Sequence, residues 1–217
     1  HYPLRRQRQM CIRDRAYQAK HGLSDEKLRT MFAHVAAQNY RNGIQNPLAH
    51  FGPGSLPDKK QLITAKAILD LPETGKGSNP LIAPPLRLHD CSLISDGAAA
   101  VVLTSTDNAK ANFKHAVELS GIGHVTQRMM MSERKETLHE LQAAKHGVQQ
   151  ACAEAGVRVT DIDMAEVHDC FTINQMLCVE AMGLSEQGRA GYDFIEGKYA
   201  VDSECPINLS GGLKSKG

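Results

Sequence analysis

The apolar residues of segment 24–42 recur every three or four positions, which places them on one face of a helix. They are Leu28, Met31, Phe32, Val35 and Ala36. Ser24 precedes the segment, acidic residues follow it directly, and Gly43 comes just after the end. Serine caps helix starts, acids favour the first turn and glycine is common after helix ends, so the pattern predicts an amphipathic helix over residues 24–42.

A different pattern follows in residues 95–105, SDGAAAVVLTS, where small and β-branched residues continue without a polar interruption. Such a run is typical of a strand buried on both faces, in a parallel sheet between helix layers. Residues 115–125, HAVELSGIGHV, predict a second strand. Gly121 and Gly123 weaken that second prediction, because glycine destabilises strand interiors.

Helical and extended patterns alternate further along the chain. Residues 136–155 carry an apolar stripe, residues 163–169 (DMAEVHD) predict a strand, and Thr172 with Gln175 form a capping box for the next helix. A helix, a buried strand and a helix in this order predict a layered α/β protein. In such sheets ligands bind where strands end and helices begin, here at residues 166–176, EVHDCFTINQM.

Two segments are dominated by turn residues. Residues 43–92 are rich in proline, glycine and asparagine, with a short helical pattern only at residues 61–69. Loops this long in a compact domain are uncommon and usually functional. Residues 209–217, LSGGLKSKG, predict a glycine-rich turn without the spacing of a phosphate-binding loop, and Lys214 and Lys216 are expected to be solvated.

Composition and charge exclude several classes of protein. The 217 residues, 41% of them hydrophobic, suffice for one large or two small domains with a packed core. Residues 1–15 hold five arginines and one aspartate, which gives them a net charge of +4. The net charge of the whole chain is +1, so the remaining residues carry a net charge of −3. This mildly acidic body predicts no nucleic-acid partner. The composition changes abruptly after residue 15, and we expect residues 1–15 to be a non-native or disordered leader.

The cysteines indicate the compartment. Six cysteines are scattered without Cys-x-x-Cys spacing, and no secretory segment is visible. This predicts reduced thiols in an intracellular protein, cytoplasmic, or peroxisomal or mitochondrial in a eukaryote. The longest apolar run, GAAAVVL, is far shorter than the ~20 residues that span a bilayer, so no membrane insertion is expected.

His168, Asp169 and Cys170 are adjacent at the end of the predicted third strand. Neighbouring side chains of a strand point to opposite faces, so His168 and Cys170 share a face and a His/Cys dyad is possible. An imidazole or a nearby helix start activates cysteine, yet free cysteine is among the most buried residue types. Zinc is disfavoured, since no further ligand stands at metal spacing. Local chemistry leaves a catalytic and a structural interpretation open.

Four separated segments, taken in order, resemble the thiolase family, and most closely its sterol-carrier-protein-type branch. They are NPLAHF (46–51), PLRLHDCSLISDGAAAVVLTS (85–105), AEAGVRVTDIDMAEVHDCFTINQMLCVEAMGL (153–184) and INLSGGLKSKG (207–217). The motif of that branch is His-Asp-Cys-Phe, at residues 168–171 here, where other thiolases have Asn-Glu-Ala-Phe. The resemblance extends from about Tyr17 to Gly217. It implies a layered αβαβα fold of two similar halves with an inserted loop domain, incomplete in this chain.

The resemblance also implies how the chain is divided. Residues 16–117 would form the loop domain and the last strand of the N-terminal half. Residues 118–217 would begin the C-terminal half, which this chain would hold only in part. Since thiolase loop domains help to form the coenzyme A site, the long segment rich in proline and glycine would then have a use.

Five residues match functional positions of the family. His168 would be the catalytic group that polarises the thioester carbonyl, directly or through a water. Ser92 would contact the pantetheine arm of coenzyme A, Phe171 would line the substrate pocket, and Gly211 and Gly212 would shape the turn that delivers a Gly-His-Pro histidine. Asp169 and Cys170 would be structural members of the corner, because the resemblance places the nucleophilic cysteine upstream of the loop domain.

The implied activity is that of an acyl-CoA acyltransferase, which cleaves 3-ketoacyl-CoA with coenzyme A or runs the reverse Claisen condensation through a cysteine thioester. Neither catalytic cysteine nor the Gly-His-Pro histidine falls within these 217 residues, so this chain alone is expected to have no turnover. Coenzyme A would be a substrate. The resemblance implies no metal or redox cofactor, and it implies that the protein is a homo-oligomer. The alternative is a non-catalytic thiolase-like protein that binds acyl-CoA or lipid.

Overall fold

The computed structural model describes residues 2–53, 62–128 and 130–216, with side chains from residue 10 onward. Its α-helices are α1 (Tyr2–His21), α2 (Asp25–Gly43), α3 (Ala65–Leu69), α4 (Thr106–Asn112), α5 (Gln142–Ala155), α6 (Thr172–Met182), α7 (Ala190–Ile195) and α8 (Gly212–Lys216). Short 3₁₀ turns lie at Leu88–Asp90, Met131–Thr137 and Val159–Asp161. None of the described helices is both long and apolar enough to cross a membrane.

Helix α2 is the central element and confirms the predicted amphipathic helix. It is capped by Ser24, whose Oγ accepts a hydrogen bond from the backbone N–H of Lys27 at 3.1 Å. One apolar face enters the main core with α1, α6 and α7, through Leu28, Met31, Phe32 and Val35. The other face packs against α3 and the loop before it, through Ala33, Ala36, Ala37 and Tyr40. A helix with two apolar faces organises both halves of the core.

Helix α1 corrects the expectation of a disordered leader. The helix continues without a break from Tyr2 to His21, so no structural boundary falls after residue 15. Met10 enters the main core, and Arg13 Nη1 donates to the carbonyl oxygens of Leu138 and Glu140 at 3.0 and 3.2 Å. These contacts hold the second half of the predicted leader against the rest of the chain. The non-native origin of the segment stays a prediction.

The buried strand predicted at residues 95–105 is also corrected. In the described part of the chain the one sheet is an antiparallel pair, β1 (Leu81–Ala83) and β2 (Leu86–Arg87). Val101, Val102 and Leu103 are 84%, 94% and 80% exposed. An apolar segment becomes a strand only beside a neighbour with free backbone groups, and no described segment lies there.

Residues 115–125 form no strand either, and the structure gives their glycines another role. The N–H of Ile122 donates to Glu154 Oε2 of α5 at 2.9 Å. A Cβ atom on Gly123 would lie 1.7 Å from the carbonyl oxygen of Gly147, also in α5. Glycine is therefore needed here because the chain approaches the backbone of a helix closely.

The strand predicted at residues 163–169 is reduced to one parallel bridge, between Ala165 and Ile207. The N–H of Ala165 donates to the carbonyl of Pro206 at 3.1 Å, and the N–H of Asn208 donates to the carbonyl of Ala165 at 2.9 Å. The helices on either side are confirmed, although α5 begins at Gln142 and the residues before it form a 3₁₀ turn. The bridge places the chain before α6 beside the C-terminal turn.

The short helical pattern predicted at residues 61–69 corresponds to α3, which spans Ala65–Leu69. Thr64 caps this helix, since its hydroxyl accepts from the backbone N–H of Ala67 at 3.2 Å. Gln61 and Gly217 lie outside the described residues.

Candidate functional site

Three segments that are distant in sequence meet at the start of α6. They are residues 91–92, residues 168–171 and the turn at residues 208–213, together called the three-segment corner. Cys91 and Phe171 form an antiparallel backbone bridge. The N–H of Ser92 donates to the carbonyl of Cys170 at 3.0 Å. The motif of residues 168–171 is thereby held from one side by the chain that carries Ser92.

Asp169 holds the corner from the other side. Its side chain is 3% exposed and accepts three hydrogen bonds. The donors are the N–H of Leu213 at 2.7 Å, the N–H of Lys214 at 3.0 Å and Asn39 Nδ2 at 2.9 Å. Burial raises the pKa of this carboxyl, and the two backbone N–H groups oppose that rise. The position of the carboxylate shows that Asp169 acts as a structural anchor for the C-terminal turn.

Gly211 and Gly212 are required by the geometry of that turn. Their φ angles are 91° and 60°, in the left-handed region that glycine adopts without strain. A Cβ atom on Gly212 would lie 2.4 Å from Asp169 Oδ2, and one on Gly211 would lie 2.4 Å from the Cα of Gly43. The turn therefore packs directly on the corner and on the end of α2, with no space for a side chain at either position.

His168 lies on the exposed side of the corner. Its carbonyl oxygen accepts from Asn174 Nδ2 at 2.6 Å and from the thiol of Cys178 at 3.8 Å. Both donors belong to the first turns of α6, so they fix the main chain of His168 relative to that helix. A residue with a fixed backbone and an exposed side chain is suited to contact a ligand that arrives from solvent.

Phe171 and Ser92 occupy less open positions. Phe171 is 8% exposed and belongs to the main core, so it supports the corner from below. Ser92 is half-buried, directly after the bridge of Cys91 with Phe171. The structure thus brings His168, Ser92 and Phe171 together on one backbone framework, and Asp169 connects this framework to the glycine turn.

Two thiols near the corner, those of Cys91 and Cys178, are not activated. Burial raises the pKa of Cys91 to about 12, and the pKa of Cys178 is likewise raised by burial to about 12. Thiols of this kind stay protonated near neutral pH and are poor nucleophiles. None of the six cysteines is in a disulfide. Over residues 2–53, 62–128 and 130–216, no three His, Cys, Asp or Glu side chains are grouped so that they could hold a metal ion.

Comparisons with known proteins bear on the same motifs. A family profile described as Thiolase C-terminal domain-like matches residues 123–217. The acetyl-CoA acetyltransferase of Methanothermobacter thermautotrophicus is 34% identical over 203 residues, which are 94% of this chain and 48% of that protein. Sterol carrier protein 2 of Bos taurus is 30% identical over 190 residues, 86% of this chain and 32% of that protein. The chain belongs to the thiolase family.

Solved structures show the fold of this thiolase-family chain. A structure titled Ltp2-ChsH2(DUF35) aldolase superposes with a TM-score of 0.78 at 24% identity, and covers 96% of this chain and 50% of that one. A monomeric SCP2-thiolase like protein type 1 from Mycobacterium smegmatis gives a TM-score of 0.67 at 18% identity, over 96% and 41% of the two chains. The predicted fold class, thiolase-like α/β, is confirmed. The chain spans about half the length, or less, of the relatives it matches.

Sequence reasoning missed the polar residues of α2 that complete the corner. Gln38, Asn39 and Asn42 are buried on this otherwise apolar helix. Asn39 Nδ2 also donates to Gln175 Oε1 at 2.6 Å, and Asn42 Nδ2 donates to the carbonyl of Asn208 at 2.9 Å. The sequence contained a signal for these contacts, because amide side chains that interrupt the buried faces of a central helix need hydrogen-bond partners there.

Lys214 corrects the expectation of a solvated side chain. It is 4% exposed, and its Nζ donates to the carbonyl of Cys91 at 2.5 Å and lies 5.2 Å from the ring centroid of Tyr40. Asp90 is buried nearby, and burial raises its pKa to about 6 while the charge of Lys214 opposes the rise. A carbonyl oxygen, an aromatic face and a carboxyl together stabilise the buried ammonium group. This lysine thereby connects the C-terminal turn to the segment that carries Ser92.

Proposed function

We propose that the protein is an acyl-CoA acyltransferase of the thiolase type, which cleaves a 3-ketoacyl-CoA with coenzyme A or catalyses the reverse Claisen condensation through a cysteine thioester. The observation that carries this proposal is the three-segment corner. Its backbone contacts join Ser92, the motif of residues 168–171 and the turn of Gly211 and Gly212, although up to 120 residues of chain separate them (92 to 212). Acyl-CoA and coenzyme A are the proposed ligands, without a metal or redox cofactor, in a homo-oligomer.

In this proposal His168 donates a hydrogen bond to the thioester carbonyl oxygen, directly or through a water. Negative charge develops on that oxygen during the reaction, so a fixed donor lowers the barrier more than it strengthens substrate binding. The exposure of His168 and its fixed main chain support this role. In this proposal Ser92 contacts the pantetheine arm, Phe171 lines the base of the substrate pocket, and Gly211 and Gly212 shape the turn that delivers the Gly-His-Pro histidine.

The raised pKa values of Cys91 and Cys178 support a nucleophile that lies elsewhere in the whole protein. In thiolysis, the nucleophilic thiolate attacks the 3-keto carbon, and the bond between C2 and C3 breaks. The electron pair of that bond goes to C2 of the leaving acetyl-CoA, which takes up a proton. The thiolate of coenzyme A then displaces the enzyme's cysteine from the new thioester.

The test compares the protein encoded by the whole gene with its His168→Ala and His168→Asn variants, using acetoacetyl-CoA and coenzyme A. We expect thiolysis by the wild type and a kcat lowered ~10²–10³-fold in His168→Ala, the usual result of losing one oxyanion donor. His168→Asn retains an N–H donor and should recover part of that loss. Equal kcat values for the three proteins would exclude this role of His168.

A second function, non-catalytic binding of acyl-CoA or lipid, is favoured by the similarity to a protein named for sterol carriage. Two measurements on the whole protein distinguish it from catalysis: the dissociation constant for a non-hydrolysable acyl-CoA analogue and the rate of thiolysis. Tight binding without any turnover supports the carrier. Turnover, with or without tight binding, supports the acyltransferase.

A further inference from the structure

A cavity of about 390 Å³ lies between α5 and α6, in a part of the molecule that the three-segment corner does not use. Its apolar wall consists of Leu141, Val159, Leu177 and Met182. The polar groups that line it include Glu140, Lys145 and Glu180. Its size is within the range of cavities that bind small molecules, which combine apolar walls with a few polar groups.

Glu180 is the polar group of the cavity that the fold positions most firmly. Its Oε1 accepts from the hydroxyl of Tyr17 at 2.5 Å and from the N–H groups of Gly188 and Ala190 at 3.0 and 3.2 Å. No described residue donates to Oε2. One oxygen therefore fixes the side chain, and the other remains able to accept a hydrogen bond from a ligand.

The charges around the cavity favour a cation. Two carboxyl side chains, Glu140 and Glu180, line it together with a single cationic side chain, Lys145, which is exposed at the rim. Outside the lining, Tyr17, Asp193 and Tyr199 act electrostatically on Glu180. The cations on that side, Arg189 and Lys198, are paired with Asp193, and the ring of His21 contacts the ring of Tyr17. An ammonium group would supply both the hydrogen-bond donor that Oε2 lacks and the missing positive charge.

We propose that this cavity binds a small primary amine with an apolar body, whose ammonium group donates to Oε2 of Glu180. The apolar part lies along the side chains of Leu141, Leu177 and Met182. The site is separate from the corner of residues 168–171, so binding does not depend on the proposed acyltransferase activity.

The binding should increase with pH. Burial raises the pKa of Glu180 to about 7. The carboxylate form, which attracts an ammonium group, is therefore the minor form at about pH 6 and the major form at about pH 8. An alkyl ammonium stays protonated at both values. Affinity should accordingly rise by about tenfold over this interval, in line with the ionised fraction of the carboxyl.

The experiment titrates the 217-residue chain with 4-phenylbutylamine by ligand-observed NMR at about pH 6 and about pH 8, with 4-phenylbutan-1-ol as the uncharged control. We expect saturable amine binding on the order of millimolar, tighter at the higher pH. The alcohol should bind more weakly, with no change between the two pH values. Equal binding of amine and alcohol, or no saturable binding of the amine, overturns the proposal.

Two variants locate the site. Glu180→Gln keeps an oxygen for Tyr17 and the two N–H groups but presents an N–H₂ donor to the ligand, so amine affinity should fall about tenfold at pH 8 and lose its pH dependence. Ala181→Phe fills the cavity from α6 and should abolish binding while Glu180 is retained. Circular dichroism melts establish that each variant is folded. Unchanged amine affinity in a folded variant of either kind overturns the assignment.

Discussion

The three-segment corner and residues 93–128 differ in whether their side chains find the partners that suit them, hydrogen-bond donors for a buried carboxylate and a core for large apolar groups. In the corner, the buried carboxylate of Asp169 accepts three hydrogen bonds from α2 and the C-terminal turn. In residues 93–128, Val102 and Val117 are 94% and 99% exposed, and α4 has no buried residue. Stability should therefore depend strongly on polar side chains in the first region, and weakly on large apolar side chains in the second.

This difference reverses the usual association of apolar residues with stability. A side chain contributes through the contacts it makes, so an exposed valine contributes little and a buried, fully paired aspartate contributes much. The free energy of unfolding of single variants therefore measures how the two regions differ.

Asp169→Ala should have the largest effect. It leaves the N–H groups of Leu213 and Lys214 and the amide of Asn39 without their acceptor, and each buried donor without a partner costs about 1–3 kcal/mol. We expect the free energy of unfolding to fall by about 4 kcal/mol in urea denaturation. The matched control is Asp96→Ala at an exposed position in the second region, which should change it by less than about 0.5 kcal/mol. Similar losses for the two variants would contradict the comparison.

Gly43→Ala tests the close packing between α2 and α8. The new Cβ would lie 2.1 Å from Ser215 Oγ and 2.3 Å from Ser215 Cβ, so it should cost about 2 kcal/mol by overpacking. In the wild type, Ser215→Gly should destabilise, because Ser215 Oγ donates to the carbonyl of Asn39 at 2.9 Å. In the Gly43→Ala background the same change should stabilise, since it removes the clash. The same sign of Ser215→Gly in both backgrounds would show that the helices move apart freely.

Local patterns predicted the elements that depend on local signals. The spacing of Leu28, Met31 and Phe32 and the cap at Ser24 predicted α2. Helix α6 lies where it was predicted, but the predicted capping box is wrong, because Phe171 is the N-cap and the Thr172 hydroxyl has no hydrogen-bond partner among the described residues. The strands predicted at residues 95–105 and 115–125 are wrong, since the structure has no strand in either segment. Whether an apolar run becomes a strand depends on a neighbour that periodicity does not reveal. The fold class came from the resemblance of four motifs, which carries information beyond hydrophobic pattern.

The candidate site was predictable only in part. The motif of residues 168–171 predicted the position of His168 at the start of a helix. The partners of the corner were not predictable from spacing, since Asn39 reaches Asp169 across 130 residues of sequence. Lys214 was expected to be solvated because lysine is mostly exposed, and the pairing that allows its burial depends on the tertiary structure.

Glu180 joins α6 to α1 through its hydrogen bond with Tyr17, and the ionisation of its carboxyl should change the stability of the fold. Burial raises its pKa from 4.5 to about 7, so the folded state binds a proton more tightly than the unfolded state does. Its contribution to stability is complete below about pH 4.5 and is lost as the pH rises through about 7. The stability of wild type relative to Glu180→Gln should fall over this interval, by about 1.4 kcal/mol for each unit by which the folded-state pKa exceeds the unfolded one, in urea denaturation at several pH values. A constant or rising difference would contradict this sign.

Val102→Thr should have the smallest effect, and its comparison with Val35→Thr tests the second region directly. The two substitutions are chemically identical and nearly preserve volume, but Val35 is fully buried in the main core and Val102 is 94% exposed. A hydroxyl placed in an apolar core loses its hydrogen bonds to water, so Val35→Thr should cost about 1.5 kcal/mol. At Val102 the hydroxyl stays solvated, and we expect a change below about 0.5 kcal/mol in the same urea denaturation assay. If Val102→Thr costs as much as Val35→Thr, residues 93–128 bury their apolar side chains in solution, and the two regions are then stabilised in the same way.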